Sequence, residues 1–293
     1  MQQRINSLDF LRGIAVLGIL IINIESFAFP VQFSPYLYGF ASELDITVRY
    51  WVYYLAQGKF FTLFLLLFGV SFYLMLERLQ EKYKSADALN IYTRRLLLLF
   101  IIGAFHAYFI WSGDIIHHYA ICALLLLPVR SFTIRGLSLF IAVMMLFIIG
   151  ASYDKIQKRQ LQKQAYQQAL TINENERTKT QQKAISRWQA KLEKKSTKRY
   201  THKEETRKGS YLNILKSNWS DIKIYKGELF FKTILFESLM LMAIGILLYR
   251  LNILTNYRSI PYYWPITLML LGLGLYMGYI KYQWWSYDYL NPC

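Results

Sequence analysis

Seven long apolar runs, parted by charged turns, leave this chain few ways to fold. They cover about Leu8–Phe29, Tyr53–Leu76, Leu96–Trp111, Ile115–Val129, Leu137–Tyr153, Leu229–Tyr249 and Trp264–Tyr282. A helix needs roughly 20 mainly apolar residues to cross a bilayer. In lipid every backbone donor and acceptor must be satisfied within the protein, so isolated runs of this kind become helices. The expected fold is therefore all-α, a polytopic transmembrane bundle of about seven spans. A composition with 55% hydrophobic and 17% aromatic residues is too apolar for an ordinary soluble domain of 293 residues. The first run is too long for a cleaved signal peptide and lacks a small-residue cleavage site. Cys122 and Cys293 suggest no disulfide framework.

Charge divides the chain into three regions and orients it. Residues 1–152 form an N-terminal bundle of five spans, 153–228 a basic polar segment, and 229–293 a C-terminal hairpin of two spans. The formal net charge is +16, and much of it sits in the middle segment, so basicity is no argument for nucleic acid. Arg78, Lys82, Lys84, Arg94 and Arg95 fall in one short loop, Arg130 and Arg135 in another, Arg250 and Arg258 in a third. The positive-inside rule then places the N-terminus in the cytoplasm and the basic segment outside. That segment lacks proline and glycine over 154–208 and is rich in Gln, Lys, Glu and Arg, which favours long exposed helix. It reads as a solvated spacer or as a contact for anionic lipid headgroups or an acidic glycan.

The first run, LDFLRGIAVLGILIIN, sets the chemistry. Asp9 and Arg12 share a helix face, and Asn23 follows Arg12 by about 16 Å along the axis. An amide in lipid is costly without a partner. The pattern LDxLRGxA with a polar residue eleven places after the arginine resembles the first helix of transmembrane acyltransferases. That superfamily includes heparan-glucosaminide N-acetyltransferase and bacterial membrane O-acetyltransferases, and the chain is most similar to its YeiB-like bacterial membrane proteins. His106, Gly113, Asp114, Ile115, Tyr119 and Ala120 carry a second match, the segment Gly209-Ser210-Tyr211 a third. Lys59-Phe60 followed by Phe68-Gly69 is a fourth. The resemblance implies a bacterial inner-membrane protein that uses acyl-CoA as co-substrate. It also marks a departure. Heparan-glucosaminide N-acetyltransferase carries a histidine eleven residues after the asparagine, where this chain has Ser34, and the O-acetyltransferases usually carry a histidine where this chain has Asn23. The base must then come from elsewhere.

The residues themselves point to where. His106 lies well inside a span, where histidines are rare and usually face the bundle interior, and a neutral imidazole suits general-base work. Asp114 can cap the next helix or orient a histidine, and His117 and His118 are three and four residues on. These two adjacent histidines diverge by about 100° and make a poor chelating pair, so no metal is expected. Asn23, Lys59, His106, Asp114 and His117 fall at a similar depth, and Arg12, Arg94 and Arg95 cluster at the opposite ends of their helices, suited to phosphate. Structural roles compete for each: a histidine bonded to a neighbouring helix, a capping aspartate, a snorkelling lysine, arginines that anchor loops.

Three readings follow. The first is an acyltransferase moving an acyl group, by resemblance acetyl, from cytoplasmic acyl-CoA to an outer hydroxyl or amine. His106 is then the base, Asp114 orients a histidine, with His117 on its face, Asn23 is an oxyanion donor, and Lys59 a substrate contact. The second is a transporter or lipid- or glycan-handling protein without covalent chemistry, the third an envelope scaffold. The partners expected are the lipid bilayer, an envelope glycan or anionic lipid, and a second copy of the chain.

Overall fold

A computed structural model describes residues 6–29, 39–40, 42–193, 204–225 and 234–290. The calls on Ser34, Cys293 and residues 194–203 lie outside these. All regular structure among the described residues is helical. Ten main helices follow in order: α1 Asn6–Ala28, α2 Glu43–Ala56, α3 Lys59–Lys82, α4 Ser85–Phe105, α5 Ile116–Leu126, α6 Ile134–Leu170, α7 Lys179–Glu193, α8 Tyr211–Tyr225, α9 Leu235–Arg250 and α10 Tyr263–Leu290. One π turn, His106–Ile110, extends α4.

Among the described residues, five helical stretches are long and apolar enough to cross a membrane: α1, the joined pair α2 and α3, α4 with its π turn, α6 and α10. The runs expected as a fourth and a sixth span are the apolar helices α5 and α9, of 11 and 16 residues. At about 1.5 Å per residue they reach about 17 and 24 Å, less than the roughly 30 Å of a hydrocarbon core.

The centre is the crossing of α3 and α9. A Cβ on Gly69 would stand 2.1 Å from the Met242 carbonyl oxygen, and one on Gly245 would stand 2.1 Å from that of Leu66. Only glycines allow the two backbones to touch in this way, the usual device by which helices associate where no hydrophobic effect separates protein from lipid. Leu65, Phe72, Met242 and Ile246 fill the core around the crossing. Helices α5 and α6 pack on α9, α4 packs on α5, and α1 packs on α3. Gly18 of α1 makes room for the ring of Phe60.

Two stretches depart from the sequence reading. The polar and aromatic segment before residue 50 becomes helical at Glu43, because Ser42 and Asp45 form a reciprocal capping box. The helix then breaks at Gly58, whose φ of +79° is a conformation that favours glycine. Further on, α6 passes the expected boundary at residue 153 without interruption. Its 37 residues span about 55 Å, about 25 Å more than the thickness of a hydrocarbon core. Helix α7 folds back along this extension, with Trp188 stacked on Tyr166 at 5.9 Å and Lys191 bonded to Gln162. Arg177 closes the connecting turn on the carbonyls of Ala169 and Ile172, at 3.1 and 2.9 Å. The charge run is thus partly a helical hairpin with an aromatic seam.

Candidate functional site

The polar centre forms where α4 meets α5. A Cβ on Gly103 would fall 2.3 Å from the backbone nitrogen of His117, so only glycine lets the start of α5 lie against α4. The π turn then ends α4 with a bond from Trp111 N–H to the His106 carbonyl at 2.8 Å, and π turns of this kind recur at functional sites. A short reversal follows, in which Asp114 N–H donates to the Trp111 carbonyl at 3.1 Å.

This geometry aims the Asp114 carboxylate at two histidines. Its Oδ2 lies 2.9 Å from Nδ1 of His106, and its Oδ1 lies 2.7 Å from Nδ1 of His117. Oδ1 also accepts the His117 backbone N–H at 3.2 Å, so the aspartate caps α5 while it orients both rings. An ionised carboxylate only accepts hydrogen bonds, so each Nδ1 carries a hydrogen and Nε2 is the proton-accepting nitrogen. The Asp114 side chain is 1% exposed, that of His117 11% and that of His106 34%. His106 is therefore the more exposed of the two rings. His118 turns to the other side, where its Nε2 and the Ser238 hydroxyl of α9 lie 2.7 Å apart. Cys122 lies 3.8 Å from the same nitrogen.

The other expected members part company here. Lys59 donates to the Tyr54 carbonyl, lies over the Tyr54 ring at 5.5 Å, and faces α10 near Gly278. On α1, the Asn23 carbonyl accepts the Ser26 hydroxyl at 2.7 Å. No side-chain bond joins Asn23 to Asp114 or His106 among the described residues. The end of α1 does reach the site's turn, since Phe27 and Trp111 have ring centroids 4.8 Å apart. No group of three His, Cys, Asp or Glu placed to hold a metal occurs among the described residues.

At the opposite end of α1 lies a cavity of about 590 Å³, within the size range of small-molecule sites. Arg12, Arg78, Lys82 and Arg95 line it with Asp9 and Ser71. Arg12 reaches Asp9 at 2.5 Å and the Ser71 hydroxyl at 2.6 Å. Arg94 is exposed on α4 and is not among the lining residues. One helix, α1, thus joins a cationic cavity at its start to the turn before Asp114 at its end. The 15 positions from Arg12 to Phe27 measure about 22 Å.

A model of heparan-alpha-glucosaminide N-acetyltransferase, catalytic, matches residues 4–178. The chain belongs to that family. The matched stretch holds the basic cavity and the Asp114 centre. Three bacterial relatives agree with the YeiB-like resemblance. YxaH of Bacillus subtilis (strain 168) is 35% identical over 44% of this chain and 33% of its own length. A 39.9 kDa protein of Bacillus acidopullulyticus is 32% identical over 53% and 42%. YeiB of Escherichia coli (strain K12) is 34% identical over 49% and 36%. The chain matches less than half the length of each of these relatives. No solved structure matches. As a member of the acetyltransferase family it is a multi-pass membrane protein with an acyltransferase-like architecture.

Several polar residues near the site were not singled out from sequence. Glu25 pairs with Arg49 at 2.7 Å, their side chains 18% and 11% exposed, and the Tyr53 hydroxyl donates to the same carboxylate at 3.3 Å. An acid in the middle of an apolar run was the available signal. Ser238 gave none, since one small hydroxyl in an apolar run is ordinary. Arg78 and Lys82 read as loop anchors, and only the fold turns them into the cavity beside Arg12.

Proposed function

We propose that this protein is a bacterial inner-membrane acyltransferase that takes an acyl group from acyl-CoA at the cytoplasmic face and gives it to a hydroxyl or amine at the outer face. The single observation that carries the reading is the Asp114 carboxylate bridging His106 and His117, with His106 the more exposed ring. The family match supports it. The proposed orientation puts the basic loops inside. Arg250 at the end of α9 donates to the Phe132 carbonyl before α6 at 2.5 Å, which sets two of those loops side by side. In this reading α5 and α9 complete seven crossings, and the hairpin of α6 and α7 stands outside.

Arg12, Arg78, Lys82 and Arg95 would hold the phosphates of the co-substrate, which planar guanidinium groups suit well. His106 Nε2 takes the proton from the acceptor as its oxygen or nitrogen bonds to the acyl carbon. The carbon–sulfur bond then breaks, and the sulfur leaves as thiolate and takes up a proton. Asp114 keeps the hydrogen on Nδ1 and stabilises the imidazolium that forms. Asn23 is the candidate donor to the developing oxyanion. Lys59, which donates to the Tyr54 carbonyl, is the candidate substrate contact.

Purified protein in nanodiscs, given radiolabelled acetyl-CoA, tests this. Labelled CoA-bound acetyl is expected to be lost in the wild type and retained in His106→Ala. Failure of the wild type to bind acetyl-CoA would sink the proposal.

A further inference from the structure

The proposed site draws on two helices whose ends come together. Asn23 is on α1 and His106 on α4, and both helices end near the same level, where Phe27 meets Trp111. Helix ends leave their last carbonyls without helical partners. Here those carbonyls are filled from one distant segment. Arg207 forks across the end of α1, donating to the Phe29 carbonyl at 2.7 Å and the Ser26 carbonyl at 3.1 Å. Four residues later the Tyr211 hydroxyl donates to the Phe109 carbonyl at 2.6 Å. Trp219 Nε1 donates to the Tyr108 carbonyl at 3.2 Å, and its ring meets that of Tyr108 edge-on at 6.1 Å. Asn218 reaches the Ile110 carbonyl at the long distance of 3.5 Å. Three consecutive carbonyls of the π turn each face a donor from α8.

We infer that residues 207–219 are a clamp that fixes the outer end of α1 against the π turn, and that Arg207, Tyr211 and Trp219 are positioning residues for His106. This rests on the acyltransferase reading above. The π turn begins at His106, so whatever holds carbonyls 108–110 sets the direction of that ring toward Asp114. Arg207 makes the same segment hold the helix of Asn23. Partial burial pushes the Arg207 guanidinium below its ordinary value, and the charge of Asp221 opposes that shift, while the residue as a whole stays exposed. Tyr211 and Trp219 are about half exposed, which makes each bond individually weak and the clamp dependent on all of them together.

The test uses the full chain in nanodiscs, with Arg207→Ala and the double variant Tyr211→Phe, Trp219→Phe. Loss of the Tyr211 and Trp219 bonds is expected to speed hydrogen exchange in the peptide spanning 106–114, and loss of the Arg207 fork in the peptide spanning 23–29, by about fivefold per bond. The acetyl-transfer kcat is expected to fall in both variants while KM for acetyl-CoA, bound at the far end of α1, stays put. Arg207→Lys, with one compact donor in place of the fork, is expected to restore part of both losses. Unchanged exchange in the corresponding peptide, or faster exchange with wild-type kcat, overturns the clamp. A wild type that neither binds nor consumes acetyl-CoA removes the underlying reading instead, and the clamp's role in catalysis with it.

Discussion

Gly103→Ala is the sharpest probe of how the polar centre is assembled. The added Cβ would stand 2.3 Å from His117 N, 2.9 Å from its Cα and 2.9 Å from the Ile116 carbonyl carbon. These are backbone atoms and cannot rotate away. Restoring ordinary contact means moving the start of α5 by about 1 Å, since carbon contacts settle near 3.5 Å. Such a shift is enough to break the 2.7 and 2.9 Å bonds from Asp114 to His117 and His106. Overpacking of this kind costs about 1–3 kcal/mol. Gly→Ala in a helix returns up to about 1 kcal/mol through propensity, so a control is needed. Gly150 on α6 meets nothing within 4 Å, and Gly150→Ala collects that gain without a clash. The difference between the two variants isolates the contact. We expect Gly103→Ala to unfold about 1–3 kcal/mol more easily than Gly150→Ala in detergent, a shift of several degrees. Acetyl transfer should fall in the former alone. Equal stability and equal activity in the two variants would refute the idea that glycine at 103 brings α5 to α4.

Three further outcomes follow from the same geometry. Asp114→Asn keeps a side-chain oxygen to cap α5 but loses the charge that steadies an imidazolium, so transfer should drop about 10²- to 10⁴-fold with little change in melting temperature. The Tyr119 hydroxyl is buried with no hydrogen-bond partner among the described residues, so Tyr119→Phe should raise stability by about 1 kcal/mol in chemical denaturation. Glu25→Gln strands the half of a buried pair held by Arg49 and should cost about 3–5 kcal/mol, whereas Glu25→Leu with Arg49→Met should recover most of that in the same assay.

The polar centre was legible because lipid makes its residues conspicuous. A histidine inside an apolar run and an aspartate at the next turn stand out, and their spacing allowed the contacts that form. Which residues join them was not legible. Asn23 and Lys59 lie at a suitable depth, but depth along a helix says nothing about the direction a side chain takes around it. Lys59 could turn to Tyr54 and α10 at no cost visible in sequence. The capping box at Ser42 and Asp45 was present in the letters, and the surrounding polar and aromatic residues masked it. The boundary at residue 153 was drawn where hydropathy changes, yet α6 continues because Gln, Lys and Ala extend a helix as readily as Leu does. Glycines 69, 103 and 245 are small gaps in a chain read one letter at a time. Their role exists only between helices.

Helix α6 carries one last implication. Its 37 residues run unbroken from just after Phe132, along α9, to the turn that Arg177 closes. One continuous rod thus ties the hairpin to the helix that forms the glycine crossing, and a proline placed in mid-shaft would break that tie.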